Sequence, residues 1–271
     1  MAIPNVELRN GVTMPALGLG TWQLTGQTCV AAVKKALALG YTHIDTAIFY
    51  GNHAEIAEAI RDVDRAKLFL TSKVPPGRLR HDDVIAACEE TLRELGTDYL
   101  DLWLIHWPNK GIPMEETFRA LKKLHDEKKV RAVGVSNFTV RHLKEALKVS
   151  EVPIAVNQVE FHPGLYQKEL LAFCKEHAIR VTAYSPLGRG GLTDDAALAE
   201  IGKAHGKTAG QVCLRWLHQH GVAAIPKAST EEHLKENMDI FDLSLSDEEM
   251  ARIDALPGKR LVNPPFAEFD D

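Results

Sequence analysis

Asp45, Tyr50, Lys73 and His106 are of types that hold or transfer protons, and each stands at or just beyond the end of an apolar, strand-like run. The first two fall five positions apart in "HIDTAIFYGN", residues 43–52. A phenol has a pKa of ~10, too high for easy proton exchange near neutrality. An ammonium within ~4–6 Å favours the phenolate, and a carboxylate behind the ammonium keeps it charged and in place. Asp45, Lys73 and Tyr50 so arranged form a relay that tunes Tyr50 as a general acid. His106 adds a donor able to bond a carbonyl oxygen and set its angle. Singly, each has a plainer reading: Asp45 as a helix cap, Lys73 as a solvated charge, Tyr50 as packing, and His106, beside Trp107 and Pro108, as a satisfied core histidine. The chemical reading needs all four in one place.

A tuned acid over a polarised carbonyl needs a hydride donor. Ser136, Asn137 and Gln158 offer groups for the carboxamide of a nicotinamide, and Tyr184 offers a ring to stack on it. No strong nucleophile accompanies the group, and no His/Cys/Asp spacing marks a metal site, so none is expected. "GRGGL" at 188–192 is glycine-rich but lacks the lysine and hydroxyl of a phosphate-binding P-loop.

The elements that must position these residues alternate along the chain. Strands are predicted at 16–19, 41–45, 68–73, 100–106, 130–135, 154–159, 180–184 and 222–226. Between them lie helices such as 27–39, 82–95, 115–128, 139–148, 167–177 and 208–219. "VELRNGVTMP" alternates about Asn10-Gly11, a strong hairpin signal, so the chain opens with a small β-hairpin. Eight β units joined by helices fit an α/β fold of the closed (β/α)8 barrel type, with a short C-terminal tail. A doubly wound open sheet is the rival, but no GxGxxG fingerprint follows the first strand. Sites of barrel proteins lie where the strands end at the C-terminal face. The polar residues fall there: Asp45 after the second strand, Lys73 the third, His106 the fourth, Ser136 and Asn137 the fifth. Gln158 and Glu160 follow the sixth, Tyr184 and Ser185 the seventh, and Lys227 the eighth. Polar groups facing one mouth must be satisfied by each other, by water or by a ligand.

The 271 residues are 45% apolar and 25% charged, as in an ordinary globular protein, and no Pro- or Ser-rich linker divides them, so residues 1–271 read as one domain. A net charge of −5 offers no general attraction to polyphosphate, which argues against nucleic acid as a partner. No run of ~18 apolar residues is present to span a bilayer, and "MAIPNVELRN" has no basic region and apolar core of a secretory signal. Cys29, Cys88, Cys174 and Cys213 are scattered singletons, read as buried hydrophobes of a reducing compartment. A cytoplasmic monomer is expected.

The stretches "MPALGLGTW", "GYTHIDTAIFYGN", "LTSKV", "DYLDLWLIHWP", "VRAVGVSNF", "VNQVEFHP", "VTAYSPLGRG" and "AIPKAS" follow one another along essentially the whole chain. Their combination and order resemble the aldo-keto reductase family, most of all its bacterial 2,5-diketogluconate reductases and methylglyoxal reductases. The resemblance implies a TIM barrel that binds NADPH in extended form and reduces aldehydes or ketones, with Asp45, Tyr50, Lys73 and His106 as a catalytic tetrad. It further implies cofactor contacts at Gly20, Thr21, Trp22, Asp45, Ser136, Asn137, Gln158, Tyr184, Ser185, Pro186, Leu187 and Gly188. Lys227, Ser229 and Thr230 would hold a 2′-phosphate, and His233, Glu236 and Asn237 would meet the adenine.

Three positions depart from the family pattern. Ala228 stands where a Ser usually follows the Lys, and His233 where an Arg usually comes six positions after it. Imidazole stacks on adenine but offers a dianion less than a permanent, bidentate guanidinium. NADPH is therefore expected to be preferred, with NADH tolerated more readily than in most relatives. His53 replaces a common acidic residue at the expected start of a helix, a structural change, and Pro75 replaces a frequent Trp. The substrate walls then read as Trp22, Phe49, Tyr50, His106, Trp107 and the tail from Leu261 to Phe266. That partly open aromatic pocket suits small aldehydes, methylglyoxal and keto-sugar acids. Two rivals are a Schiff-base aldolase using Lys73 and a non-catalytic NADPH-binding regulatory module.

Overall fold

A computed structural model describes residues 2–269. Eight parallel strands carry the architecture: β3 (Leu19–Gly20), β4 (His43–Asp45), β5 (Phe69–Val74), β6 (Leu100–Ile105), β7 (Val130–Ser136), β8 (Ile154–Glu160), β9 (Arg180–Tyr184) and β10 (Ala223–Ala224). Each is hydrogen-bonded to the next in chain order. Residues 16–18 close the ring against β10: Gly18 N donates to Ala224 O at 2.9 Å, and Ala224 N donates to Ala16 O at 2.9 Å. The result is the expected (β/α)8 barrel. Three of its strands, β3, β4 and β10, are at least two residues shorter than predicted. Residues 16–18, 225 and 226 make closing contacts where longer first and last strands were drawn.

Period-two alternation explains how polar residues reach the mouth. In β5, Phe69 packs in the barrel interior with Leu102, Leu104, Ala132, Val156 and Ala223, whereas Leu70 and Val74 pack outward. Thr71 and Lys73 continue the Phe69 face, so the lysine ends that column at the C-terminal rim. At Gly134 a Cβ would lie 2.5 Å from Val156 O and 2.7 Å from Leu104 Cδ2, so only glycine lets β7 approach its neighbours there.

The expected hairpin forms from β1 (Asn5–Glu7) and β2 (Thr13–Pro15), paired antiparallel with Val6 opposite Met14. Gly11 sits at φ 79°, the left-handed conformation the turn requires. Leu8 and Met14 join the interior cluster, so the hairpin plugs the end of the barrel away from the site. Among the described residues ten helices surround the strands: α1 (Gly26–Leu39), α2 (His53–Ile60), α3 (His81–Leu95), α4 (Met114–Asp126), α5 (Val140–Val149), α6 (Lys168–Glu176), α7 (Ala196–His205), α8 (Ala209–Gln219), α9 (Glu231–Met238) and α10 (Asp247–Asp254). Their apolar faces form the outer core against the strands, where each fully buried Leu, Ile or Phe contributes roughly 1.5–3 kcal/mol. His53 does begin α2, and its role is structural: Nδ1 lies 2.7 Å from Glu94 Oε2 and Nε2 lies 3.1 Å from Ser72 Oγ, tying α2 to α3 and β5. All four cysteines are buried thiols. Among the described residues no helix is long and apolar enough to cross a membrane.

Candidate active site

Asp45, Lys73, Tyr50 and His106 meet at the C-terminal rim of the strands. The Lys73 ammonium is fully buried and has three oxygens around it: Asp45 Oδ1 at 2.6 Å, Thr46 O at 2.7 Å and Tyr50 Oη at 3.5 Å. Asp45 Oδ1 and Thr46 O can only accept, and the Tyr50 hydroxyl can accept as well, an arrangement that suits the three N–H groups of a protonated amine. Burial pushes the lysine pKa down, and the Asp45 charge opposes that. Tyr50 is carried on a single 3-10 turn, Ile48–Tyr50, ended by Gly51 at φ 61°. Asn52, wholly buried, fixes this loop by donating to Thr21 O and Leu24 O and accepting from Thr46 Oγ1.

The phenol differs from the expectation in one respect. Burial first, and then the Asp45 charge, raise its pKa well above the ordinary value instead of lowering it. Lys73 is turned toward Asp45 and Thr46 and lies farther from the phenol, so desolvation outweighs the cation. Tyr50 is thus held as the protonated phenol. The His106 ring meets Tyr50 edge-on with centroids 5.9 Å apart, and burial followed by the nearby Lys73 charge holds its pKa well below the usual histidine range. His106 is accordingly a neutral imidazole.

A second network adjoins the first. Gln158 Nε2 donates to Asp45 Oδ2 at 2.7 Å, Ser136 Oγ donates to Gln158 O at 2.8 Å, and Asn137 Nδ2 donates to His106 O at 3.0 Å. Tyr184 Oη donates to Asn137 Oδ1 at 2.7 Å. Asn137 adopts φ 63° and Ser185 φ 49°. Of the six non-glycine residues with positive φ among those described, Gln23, Asn137, Ser185 and Arg189 line the same cleft. Strained backbone of this kind gathers where function over-determines it.

That cleft has a volume of about 1120 Å³. Its walls include Gly20, Thr21, Trp22, Asp45, Tyr50, Ser136, Asn137, Gln158, Tyr184, Ser185, Pro186, Leu187, Lys227, His233, Glu236 and Asn237, together with Phe49, His106, Trp107 and the tail. Three expected contacts fall outside the wall. Gly188, at φ 57°, makes a turn packed against Leu192. Ser229 is exposed, and Thr230 caps α9 by accepting from His233 N at 3.2 Å. Lys73 also lies behind the wall, screened by Asp45 and Tyr50. Arg189 was missed. Its guanidinium lies 4.8 Å from the Trp22 ring centroid, and "GRGGL" had been weighed only as a phosphate loop. Trp22, Phe49 and Phe266 are the large apolar side chains that remain exposed among the described residues, and all three line this cleft. Apolar surface so concentrated marks a ligand site.

Comparison with known proteins agrees with the geometry. A glyoxal reductase of Bacillus subtilis (strain 168) is 47% identical over 262 residues, covering 96% of this chain and 95% of that protein. The crystal structure of a protein provisionally assigned as a 2,5-diketo-D-gluconic acid reductase B superposes with a TM-score of 0.92 at 44% identity, covering 95% of this chain and 94% of that one. An aldo-keto reductase crystallised with NADPH gives a TM-score of 0.92 at 35% identity, over 97% of this chain and 91% of the other. Residues 16–257 match the aldo/keto reductase family model, and the chain belongs to that family of oxidoreductases.

Proposed function

We propose that this protein reduces small aldehydes, 2-oxoaldehydes such as methylglyoxal, and keto-sugar acids to alcohols, with NADPH as cofactor and Tyr50 as proton donor. One observation carries the reading. The Asp45–Lys73–Tyr50 line and the Ser136–Asn137–Gln158–Tyr184 network share Asp45 and open on one cleft.

The donor set fits the cofactor. Ser136, Asn137 and Gln158 present hydroxyl and amide groups for a carboxamide, the Tyr184 ring stands beside them, and Lys227 is an exposed cation on the same wall. The chemistry supplied by bound NADPH is hydride transfer to the carbonyl carbon. Tyr50, kept protonated by burial, gives its proton to the carbonyl oxygen. As negative charge grows on the phenol, the Lys73 ammonium stabilises it, and Asp45 holds that ammonium in place. Neutral His106 orients the carbonyl by donating one hydrogen bond. Trp22, Phe49 and Trp107 exclude water from one side of the substrate.

The relative that reduces glyoxal supports a small dicarbonyl, and an open aromatic mouth accepts one without demanding it. A Schiff-base role for Lys73 is disfavoured because its three N–H directions are taken by oxygens. A cytoplasmic monomer of one domain remains our reading. The test is NADPH consumption with methylglyoxal, 4-nitrobenzaldehyde and 2,5-diketogluconate, in wild type and Tyr50→Phe. Turnover lost in the variant while NADPH still binds supports the assignment. Equal rates in the two proteins, or no turnover of any carbonyl, overturn it.

A further inference from the structure

We infer that Glu160 is a positioning residue: it anchors the C-terminal segment that walls the cleft, and through it sets how firmly the cleft grips a bulky aromatic substrate; the second half rests on the proposed reductase activity. Glu160 ends β8 two residues after Gln158 and on the same face, so it too points to the mouth of the barrel. It is completely buried. Its carboxylate has no Lys or Arg partner; Oε1 accepts from Leu261 N at 2.8 Å and lies 3.1 Å from His162 Nε2, while Oε2 accepts from Val262 N at 2.8 Å. Burial works against the charge, but the bonds from His162, Leu261 and Val262 outweigh it and keep the carboxyl below the usual glutamate range.

Burying a carboxylate is unfavourable unless its lone pairs are met. Here they are met by two successive N–H groups of a stretch with no helix or strand of its own, residues 255–269. Glu160 therefore stands in for the ladder partner that the tail lacks. Two further contacts set the same register. Gln167 Nε2 donates to Glu160 O at 2.6 Å and Gln167 Oε1 accepts from Arg260 Nη2 at 3.2 Å. At Gly258 an added Cβ would stand 2.2 Å from Gly164 O, so the backbones touch. Immediately after this clamp, Leu261, Val262, Asn263, Pro264 and Phe266 line the cleft, and Phe266 lies 5.6 Å edge-on from Trp107. Beyond them Glu268 accepts from Lys110 N at 3.1 Å. The wall packed against Trp107 is thus a strap pinned at two points, and the inner pin is a residue of the strand that also carries Gln158.

Glu160 is a positioning residue, so its test must separate anchoring from general damage. Glu160→Gln replaces one acceptor with an NH2 group, setting it against a tail N–H. The expected result is a KM for 4-nitrobenzaldehyde raised roughly tenfold, the scale of one lost bond to a charged group. The kcat, the NADPH affinity and the KM for methylglyoxal stay within about twofold. Trypsin should cut faster at Lys259 or Arg260. Gly258→Ala, which leaves the carboxylate intact and lifts the backbone, should give the same split, and it keeps the question open to experiment if Glu160→Gln does not fold. In a chain ending at Arg260, adding Glu160→Gln should change nothing further. A uniform loss of kcat on all substrates, unchanged proteolysis, or an added KM shift in the truncated chain would each overturn the inference. The proteolysis does not depend on turnover, so a protein that reduces no carbonyl yet gains the cut in both variants defeats the proposed function and leaves the anchor standing.

Discussion

Gln158 and Asp45 join opposite sides of the barrel: Nε2 of the first donates to Oδ2 of the second at 2.7 Å, from β8 to β4, four strands apart in either direction around the ring. Lys73 takes the other carboxylate oxygen at 2.6 Å. Asp45 is therefore shared between the group proposed to move the proton and the group proposed to seat the nicotinamide. A change in either network is felt by the other through one carboxylate.

Removing the phenolic hydroxyl leaves the rest of both networks in place. In Tyr50→Phe, kcat should fall by roughly 10²–10⁴, the range expected for losing a positioned general acid. NADPH affinity, read by quenching of protein fluorescence, should not change. A variant that keeps a tenth or more of the wild-type kcat removes Tyr50 from the proton-donor role.

Lys73→Met strands a buried carboxylate. Breaking such a pair on one side typically costs about 3–5 kcal/mol, because the remaining charge is desolvated without its partner. The drop should appear in urea unfolding at pH 7. The double variant Asp45→Asn, Lys73→Met should recover part of it while staying inactive. If the single and double variants unfold at the same urea concentration, the pair is not a stabilising unit.

Acid should weaken the fold through His43. This ring lies inside the barrel 4.9 Å from Phe69, with Nε2 3.0 Å from Thr71 Oγ1, and burial lowers its pKa from 6.5 to about 4. The unfolded chain takes up the proton first, so stability is intact above pH 6.5 and is lost as pH falls toward 4. The share from one such group is ~3 kcal/mol. His43→Phe, which cannot titrate, should show a shallower decline of unfolding free energy over that interval. Identical slopes in the two proteins would exclude His43 as the source.

Cofactor preference should respond to position 233. His233 and Lys227 are exposed on the cleft wall, and the adjoining Ala228 is buried and apolar. Arginine at 233 adds a fixed, bidentate cation for a 2′-phosphate. The ratio of kcat/KM for NADPH over NADH should rise roughly tenfold in His233→Arg, about 1.4 kcal/mol of added discrimination. A wild type that already rejects NADH a thousandfold contradicts the premise that histidine makes the site permissive.

Much of the barrel was legible along the chain because its central strands are buried on both faces. β6, β8 and β9 were each drawn within a residue of their observed ends, since an unbroken apolar run bounded by a polar residue has few other readings. The first and last barrel strands were drawn too long. Their pairing is settled by contact between residues 16–18 and Ala224, some two hundred positions apart, which no local pattern records. Helices α7, α9 and α10 were not drawn either, and α2 was expected only by its start at His53. They are only eight to ten residues long, and such short helices form because tertiary packing supports them.

At the site, sequence alone determined the inventory. Residue type and position at or just past strand ends were enough to single out Asp45, Tyr50, Lys73, His106 and the polar groups from Ser136 to Tyr184, and the alternation of a strand turns Asp45, Lys73 and Gln158 inward. Tertiary structure decided what that inventory does. The direction of the Tyr50 shift depends on burial and on which oxygen Lys73 approaches, both set by folding. Arg189 reaches Trp22, and Glu160 reaches Leu261 and Val262, only once distant segments have been brought together. Charge type is local, but desolvation and hydrogen-bond partnership belong to the folded chain.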